Sequence, residues 1–123
     1  MAFYQDTVVV LRPGTKLNRA KEVVLDYDGL RKPDAVGTPR SHVQVRPVTQ
    51  SEVDGQPDRN TAVSGWKVAT RPGTGDWDVR ADDWVRLPDG TVCSVEGAAA
   101  RPTDPFTGQL HHVELLLREA TES

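Results

Sequence analysis

Short apolar runs that suit β-strands recur along the chain. Residues 6–12 read DTVVVLR, with four consecutive apolar residues before a Pro-Gly pair, which is typical of a buried strand. Residues 21–28 read KEVVLDYD and place alternate apolar side chains on one face. We interpret this second run as a strand that pairs with the first as a hairpin, with residues 13–20 as the connection.

Four more strands are predicted in the middle of the chain, at residues 42–48, 61–70, 83–87 and 91–96. Because Pro47 has no N–H to donate, we expect its strand to end there or to lie at a sheet edge. Gly65 predicts a bulge or a kink in the next strand. Pro88, Asp89 and Gly90 have the composition of a tight turn, which would join the last two of these strands as a hairpin.

The C-terminal segment 110–120, LHHVELLLREA, fits two structures. As a strand it places Val113, Leu115 and Leu117 on one face, and as a helix it forms an apolar stripe along one side. We favour the strand, because a Thr-Gly hairpin signal precedes it and a single short helix would lack a partner face. About six to seven short strands with long polar loops predict an all-β fold, a small antiparallel barrel or sandwich.

The composition agrees with one domain of short elements spanning residues 1–123. The chain has 10 glycines and 9 prolines, and 37% of its residues are hydrophobic, a share below that of most globular domains. Its length of 123 residues is enough for a single core. Its one cysteine, Cys93, excludes an internal disulfide and a zinc site built on cysteines. We interpret Cys93 as a small core residue in a reducing compartment. Neither a membrane span nor a signal peptide is predicted.

The charge balance argues against a free-standing nucleic-acid binder. The chain has 15 basic and 18 acidic residues, a net charge of −3, and no dense basic stripe along the sequence. An OB-like module would also need aromatic residues interleaved with basic ones, whereas Trp77 and Trp84 each adjoin aspartate. This module is therefore kept only as an alternative.

No residue constellation predicts catalysis or a cofactor. His111 and His112 are adjacent, so on a strand they point to opposite faces and cannot share a metal ion; we expect one to be half-buried and the other exposed. Four aspartates lack the spacing of a calcium loop. We interpret them as capping and turn residues of a solvated loop: Asp76, Asp78, Asp82 and Asp83. The protein is accordingly predicted not to be an enzyme.

Two loops contain the candidate interaction residues. Residues 48–60 have only two apolar side chains and both signs of charge, which suits reversible polar contacts with a neighbouring protein or near DNA. The candidates in this flexible loop are Glu52, Asp54, Asp58 and Arg59. A tolerated surface insertion is the alternative. Trp77, in the loop 71–83, is not expected in the core; it is either an interface anchor or a lid folded back on the barrel.

An ordered series of sequence signals resembles a known family. The signals are TVVVLRPG near the start, Asp58-Arg59-Asn60 before the Trp66 strand, Asp83-x-Val85, Gly90, Val95-Glu96-Gly97, Asp104-Pro105-Phe106-Thr107-Gly108, and His112-Val113-Glu114 with Leu117. Together they span nearly the whole chain and resemble the head completion, or stopper, proteins of tailed bacteriophages with long non-contractile tails, especially phages of actinobacteria. Two features depart from the pattern: Cys93 replaces an expected aromatic residue, and residues 28–41 are longer or more irregular.

The resemblance implies a small antiparallel β-barrel whose copies form a ring at the neck of the virion. Such a ring would contact the adaptor or portal side and the tail terminator or tail tube, lie close to packaged double-stranded DNA, and involve no membrane. It would assemble in the cytoplasm of the host bacterium. Another neck component, a largely helical adaptor or a tail terminator, is the alternative. We expect the free protein to be a monomer or weak oligomer, because no long apolar face is predicted outside the core.

Overall fold

The structure, a computed structural model, describes residues 4–50 and 62–120. In these two ranges all regular secondary structure is β-strand, which confirms the all-β prediction. The eight strands are β1 (Asp6–Leu11), β2 (Gly14–Leu17), β3 (Val23–Asp26), β4 (Thr38–Gln50), β5 (Ala62–Thr70), β6 (Trp84–Arg86), β7 (Val92–Val95) and β8 (Glu114–Glu119). None of the described segments is a long apolar helix of the kind that spans a bilayer.

Six of the strands close into an antiparallel barrel in the order β1-β4-β5-β8-β7-β6, with β6 paired back to β1. Alternate side chains point inward, as the period of a strand requires. Val8 and Val10 of β1, Val68 of β5, and Leu115 and Leu117 of β8 are all at most 4% exposed. Each of these strands has a paired neighbour on both sides over at least part of its length, so the barrel form of the predicted fold is confirmed.

The other two strands, β2 and β3, form a separate hairpin. The prediction that the second strand pairs with the first is wrong, because β1 already pairs with β4 on one edge and β6 on the other. The partner of β3 is instead Gly14–Leu17, which we expected to be a connection.

Strand β4 is longer than predicted at both ends. Residues 38–41, expected in a loop, belong to the strand and extend its pairing with β1. Pro47 does not end the strand: it lies opposite Trp66, and β4 continues to Gln50. The described pairing with β1 stops at Val43. Pro47 therefore lies where β4 has a described neighbour on one edge only, and there the missing N–H is tolerated.

The bulge predicted at Gly65 is confirmed. Val48 lies opposite Gly65 and Thr49 lies opposite Val63, so β5 has one extra residue at this point. A Cβ atom at position 65 would collide with the carbonyl oxygen of Leu117 in β8. The close approach of β5 and β8 therefore requires glycine here.

The C-terminal segment forms a strand, as we favoured over a helix. β8 pairs with β5 and β7. Val113, Leu115 and Leu117 are at most 2% exposed, whereas Leu116 is 54% exposed. Cys93 is fully buried in the same core, as predicted, and its burial raises the pKa of the thiol to about 12.

The directions of the strands determine at which end of the barrel each connection lies. At one end, which we call the loop end, β1 runs out and β4, β6 and β8 begin. The β2-β3 hairpin and the connections 71–83 and 96–113 leave from this end. The turn at residues 88–90 lies at the opposite end, where β4 stops at Gln50 and β5 starts at Ala62.

Candidate interaction surfaces

Four of the five predicted interaction residues lie outside the described residues: Glu52, Asp54, Asp58 and Arg59. The first part of their predicted loop, residues 48–50, is described and belongs to β4. The connection therefore starts after residue 50 rather than at 48. Both of its described anchor points are strand ends away from the loop end of the barrel.

Trp77, the fifth residue, lies in the core. Its exposed fraction is 4%, and it belongs to the main apolar cluster together with Val79. Our expectation that this indole stays outside the core is wrong, and an exposed anchor is excluded; the lid alternative agrees with its position. The error has a local cause. Asp76 and Asp78 are exposed on either side of Trp77, so the polar neighbours hide an inward-pointing residue.

Arginines from other parts of the chain hold this lid, residues 71–83, against the barrel. Arg101 donates from Nε to Asp76 Oδ1 at 2.8 Å and from Nη2 to the Trp77 carbonyl oxygen at 2.9 Å. Arg40 donates to the Asp76 carbonyl oxygen at 3.1 Å and lies 5.9 Å from the centre of the Trp77 ring. The hydrogen bond from Arg101 is the main reason that the pKa of Asp76 lies below its usual value.

Asp83 ends the lid as a buried carboxylate, 1% exposed. Arg12 donates to its two oxygens, from Nε at 3.0 Å and from Nη2 at 2.9 Å, and the Arg80 backbone N–H donates at 2.8 Å. Burial raises the pKa of this carboxyl, but the hydrogen bonds and positive charges together outweigh burial, so the pKa is lowered. The interpretation of the four aspartates as solvated residues is therefore wrong for Asp83, although its capping role is confirmed.

The two adjacent histidines divide in exposure as predicted. The expectation that they point to opposite faces is wrong, because both precede β8 and their rings contact each other. His111 is exposed, and the side chain of His112 is 19% exposed. Their Nδ1 atoms are 2.7 Å apart, so one ring donates to the other, and His112 Nε2 lies 2.6 Å from Glu114 Oε2. Glu114 also pairs with Lys67 at 3.2 Å. Within residues 4–50 and 62–120, no three or more His, Cys, Asp or Glu side chains are grouped to hold a metal ion.

The β2-β3 hairpin has an exposed apolar face that the sequence analysis did not predict. Leu17 lies opposite Val23, and Thr15 lies opposite Leu25, so these four side chains share one face. Leu17 is 64% exposed, Val23 70% and Leu25 39%. The face is therefore apolar and largely uncovered by the described part of the chain.

Aromatic and polar contacts fix the base of this hairpin to the barrel. The Tyr27 ring stacks on Trp84 with 4.6 Å between ring centres, and its hydroxyl donates to the Asp82 carbonyl oxygen at 2.7 Å. The Arg31 guanidinium lies 5.3 Å from the centre of the same indole ring. An isolated two-stranded hairpin is marginally stable in water, so these contacts at its base are needed to stabilise it. They leave its apolar face exposed.

Comparison with known proteins adds information on the fold. No family model and no curated protein matches the chain. The structure is similar to the solution structure of protein SF1141 from Shigella flexneri 2a, with a TM-score of 0.58 and 16% sequence identity, over 100% of this chain and 98% of that one. At this level of identity the likeness shows the fold alone, so the function has to be argued from the surfaces of the chain itself.

Proposed function

We propose that this chain is a structural protein of the neck of a tailed bacteriophage, where its copies form a ring between the portal or adaptor and the tail. The sequence resemblance supports this role. The structural observation that favours it is the exposed apolar face of the β2-β3 hairpin on a closed barrel. Because each barrel strand already has neighbouring strands in the closed sheet, a hairpin outside the barrel with an exposed apolar face offers the copies a contact that leaves the barrel intact.

The size of the hairpin suits an interface that forms during assembly. Its strands have four residues each, a length of about 14 Å. Such a face is well below the roughly 800 Å² per partner of a stable standard interface. The free protein is therefore a monomer or weak oligomer, and neighbouring rings template its assembly. The same head-to-tail contact repeated in each copy closes a ring when the rotation between copies closes.

The hairpin and the β4-β5 connection belong to different ends of the barrel. In a ring, the hairpin would contact the neighbouring copy, and the connection with Glu52, Asp54, Asp58 and Arg59 would meet the DNA channel or an adjoining ring. The ring would then help to retain the genome and dock the tail. Of the alternatives, a largely helical adaptor disagrees with the all-β fold. A tail terminator agrees with the fold and has to be distinguished from a stopper by experiment.

Interruption of the coding sequence in the phage genome tests the role. We expect electron micrographs to show heads that lose their DNA and stay unjoined to tails, and we expect a wild-type copy supplied in trans to restore joined particles. Infectious, tailed particles in the absence of the protein would refute the proposal. Heads that keep their DNA beside tails of abnormal length would indicate a tail terminator instead.

A second experiment separates the roles of the β4-β5 connection and the hairpin. Replacement of residues 51–57 by a short Gly-Ser linker should shift the melting temperature by only a few degrees, because loop length has a small effect on closure entropy, yet should cause leaking or unjoined heads. Substitution of both Leu17 and Val23 by serine is the matched change in the hairpin and should reduce ring formation. A normal yield of particles with the linker would identify the connection as a tolerated insertion.

A further inference from the structure

The arginines of this chain differ in what their side chains contact. Those around the lid are bonded to carboxylates or carbonyl oxygens, as shown for Arg12, Arg40 and Arg101. Arg46, in β4, and Arg71, directly after β5, are exposed and form no side-chain hydrogen bond or ion pair within residues 4–50 and 62–120. Among the described residues, no carboxylate neutralises these two positive charges.

Arg46 and Arg71 belong to one outer face of the barrel. In β4, Val43 and Val45 point to the core, so Gln44 and Arg46 point outward. Arg46 lies opposite Lys67, and Gln44 lies opposite Ala69, which is paired in turn with Glu114 of β8. The outward side chains surround a shallow pocket of about 190 Å³, whose polar lining includes Tyr4, Gln44, Arg46, Lys67, His112 and Glu114. We call this region, together with Arg71, the β4-β5 face.

A second pocket continues this face and includes residues with unusual backbone angles. It has a volume of about 530 Å³ and is lined by Tyr4, Gln5, Thr7, Ser41, His42 and Arg71. Tyr4 has a φ of 62° and His42 a φ of 60°, values that non-glycine residues seldom adopt. His42 lies where the register of β1 and β4 shifts. Such strained positions and bulges are frequent at binding sites.

Glu114, the acidic residue that lines the first pocket, neutralises Lys67 and is not paired with Arg46 or Arg71. Glu114 is held by His112 at 2.6 Å and by Lys67 at 3.2 Å. The hydrogen bond with His112 is the largest reason that the pKa of Glu114 is lowered, so this carboxylate stays ionised and occupied by its own partners. Arg46 and Arg71 thus leave a local positive charge on a chain whose net charge is −3.

We propose that the β4-β5 face binds the phosphate backbone of duplex DNA without sequence preference. Arginine, lysine, glutamine, serine, threonine and tyrosine are the side chains that contact phosphates, and they make up most of both pockets. The face lacks the buried apolar and aromatic centre of a protein interface and the row of stacking aromatic residues of a single-strand binder. That the bound DNA is the packaged genome rests on the proposed function. The binding itself is a property of the single chain and can be measured without the virion.

The spacing of the charges agrees with this ligand. Arg46 lies opposite Lys67 in the sheet, and Arg71 follows Lys67 by four residues, so the two uncompensated arginines are separated by about 13 Å along the strand direction. The major groove is about 12 Å wide, so Arg46 and Arg71 can contact phosphates on opposite sides of the groove. With so few contacts the binding is weak and strongly dependent on salt, which suits a surface past which DNA has to move.

Titration of the isotope-labelled full-length protein with duplex DNA, followed by NMR, tests the proposal. A duplex of about 20 bp, two helical turns, in about 50 mM salt should shift amide signals on the β4-β5 face. The variant with both Arg46→Gln and Arg71→Gln should bind roughly tenfold more weakly, as expected for two exposed charge contacts. The control changes Arg19→Gln and Lys21→Gln, two exposed residues at the hairpin tip, which alter the net charge equally.

The salt dependence gives a second measure. Each lost phosphate contact should lower the slope of log affinity against log salt by about 0.9, so the Arg46 and Arg71 double variant should lose about 1.8, while the control keeps the wild-type slope. Replacement of both arginines by lysine keeps the charge and should keep the slope. Absence of binding by the wild type, signal shifts at the hairpin, or an equal loss in the control would overturn the proposal. Equal affinity for polyglutamate would overturn the assignment to DNA.

Discussion

Substitution of Asp83 by alanine tests whether a buried ion pair holds the lid on the barrel. The change leaves two N–H groups of Arg12 and the backbone N–H of Arg80 without their acceptor. Loss of one partner of a fully buried pair destabilises a protein by about 3–5 kcal/mol. Arg12 is 38% exposed and keeps Asp78 as a partner, so water and Asp78 compensate in part. We expect a loss of about 2–3 kcal/mol, between the values for buried and surface pairs.

Urea unfolding of a double-mutant cycle measures the pair itself. The cycle uses Asp83→Ala, Arg12→Met, which keeps an unbranched side chain, and the double variant. The expected coupling free energy is about 1–2 kcal/mol. Asp78→Ala is the matched control, because its side chain is 74% exposed and lies 3.4 Å from the same guanidinium; it should change the free energy of unfolding by at most about 0.5 kcal/mol.

The pH dependence gives the sign of the effect. The pKa of Asp83 is lowered in the folded state, so the carboxylate stabilises the fold above its unfolded pKa of about 3.9. This stability is lost as the pH falls from that value through the lower folded pKa. The difference between wild type and Asp83→Ala should therefore be complete at neutral pH and shrink below about pH 4. A loss no larger than that of Asp78→Ala, or a difference independent of pH, would refute the reasoning.

Other substitutions test the barrel with the same unfolding assay. Leu115→Ala should destabilise by about 2–5 kcal/mol and Leu116→Ala by at most about 0.5 kcal/mol, because only the first side chain is buried; equal losses would contradict the register of β8. Gly65→Ala should destabilise by about 1–3 kcal/mol because its Cβ meets the backbone of β8, whereas Gly14→Ala, which meets open space, should be neutral or stabilising. Cys93 is fully buried with a thiol pKa of about 12, so it should react with a thiol reagent only on unfolding; rapid reaction of the native protein at neutral pH would contradict its burial.

Most of the barrel could be predicted from the sequence because its strands have a local signature. The pattern of residues 110–120 fitted a strand or a helix, and the Thr-Gly hairpin signal before it favoured the strand. Once a strand is assumed, the alternation in residues 113–117 gives its buried face, since a period of two allows only one set of side chains to point inward. The turn at residues 88–90 and the bulge at Gly65 were equally local. Each depends on the backbone conformations that a proline or a glycine allows, and these follow from the residue type alone.

The parts that could not be predicted depend on contacts between distant residues. Strand β2 reads GTKL and has no apolar alternation of its own, so only its pairing with β3 makes it a strand. Trp77 was misplaced because both of its neighbours are exposed aspartates, each paired with an arginine that is distant in the sequence. The burial of Asp83 was missed because its carboxylate is paired with Arg12, 71 residues away. Local polarity therefore does not decide burial where charges are paired across the fold.

The β4-β5 face could not be predicted for the same reason, because its charged residues are distant in the sequence. Arg46, Lys67, Arg71 and His112 lie on different strands or beyond their ends, so they form no basic stripe along the sequence and are brought together only when β4, β5 and β8 pair. The net charge of −3 does not describe this face either. The carboxylates of the lid are paired with arginines, and charges farther away than the Debye length, about 8–10 Å, are largely screened by salt. The electrostatic character of this protein is thus set by which arginines have carboxylate partners, and the two in this face have none among the described residues.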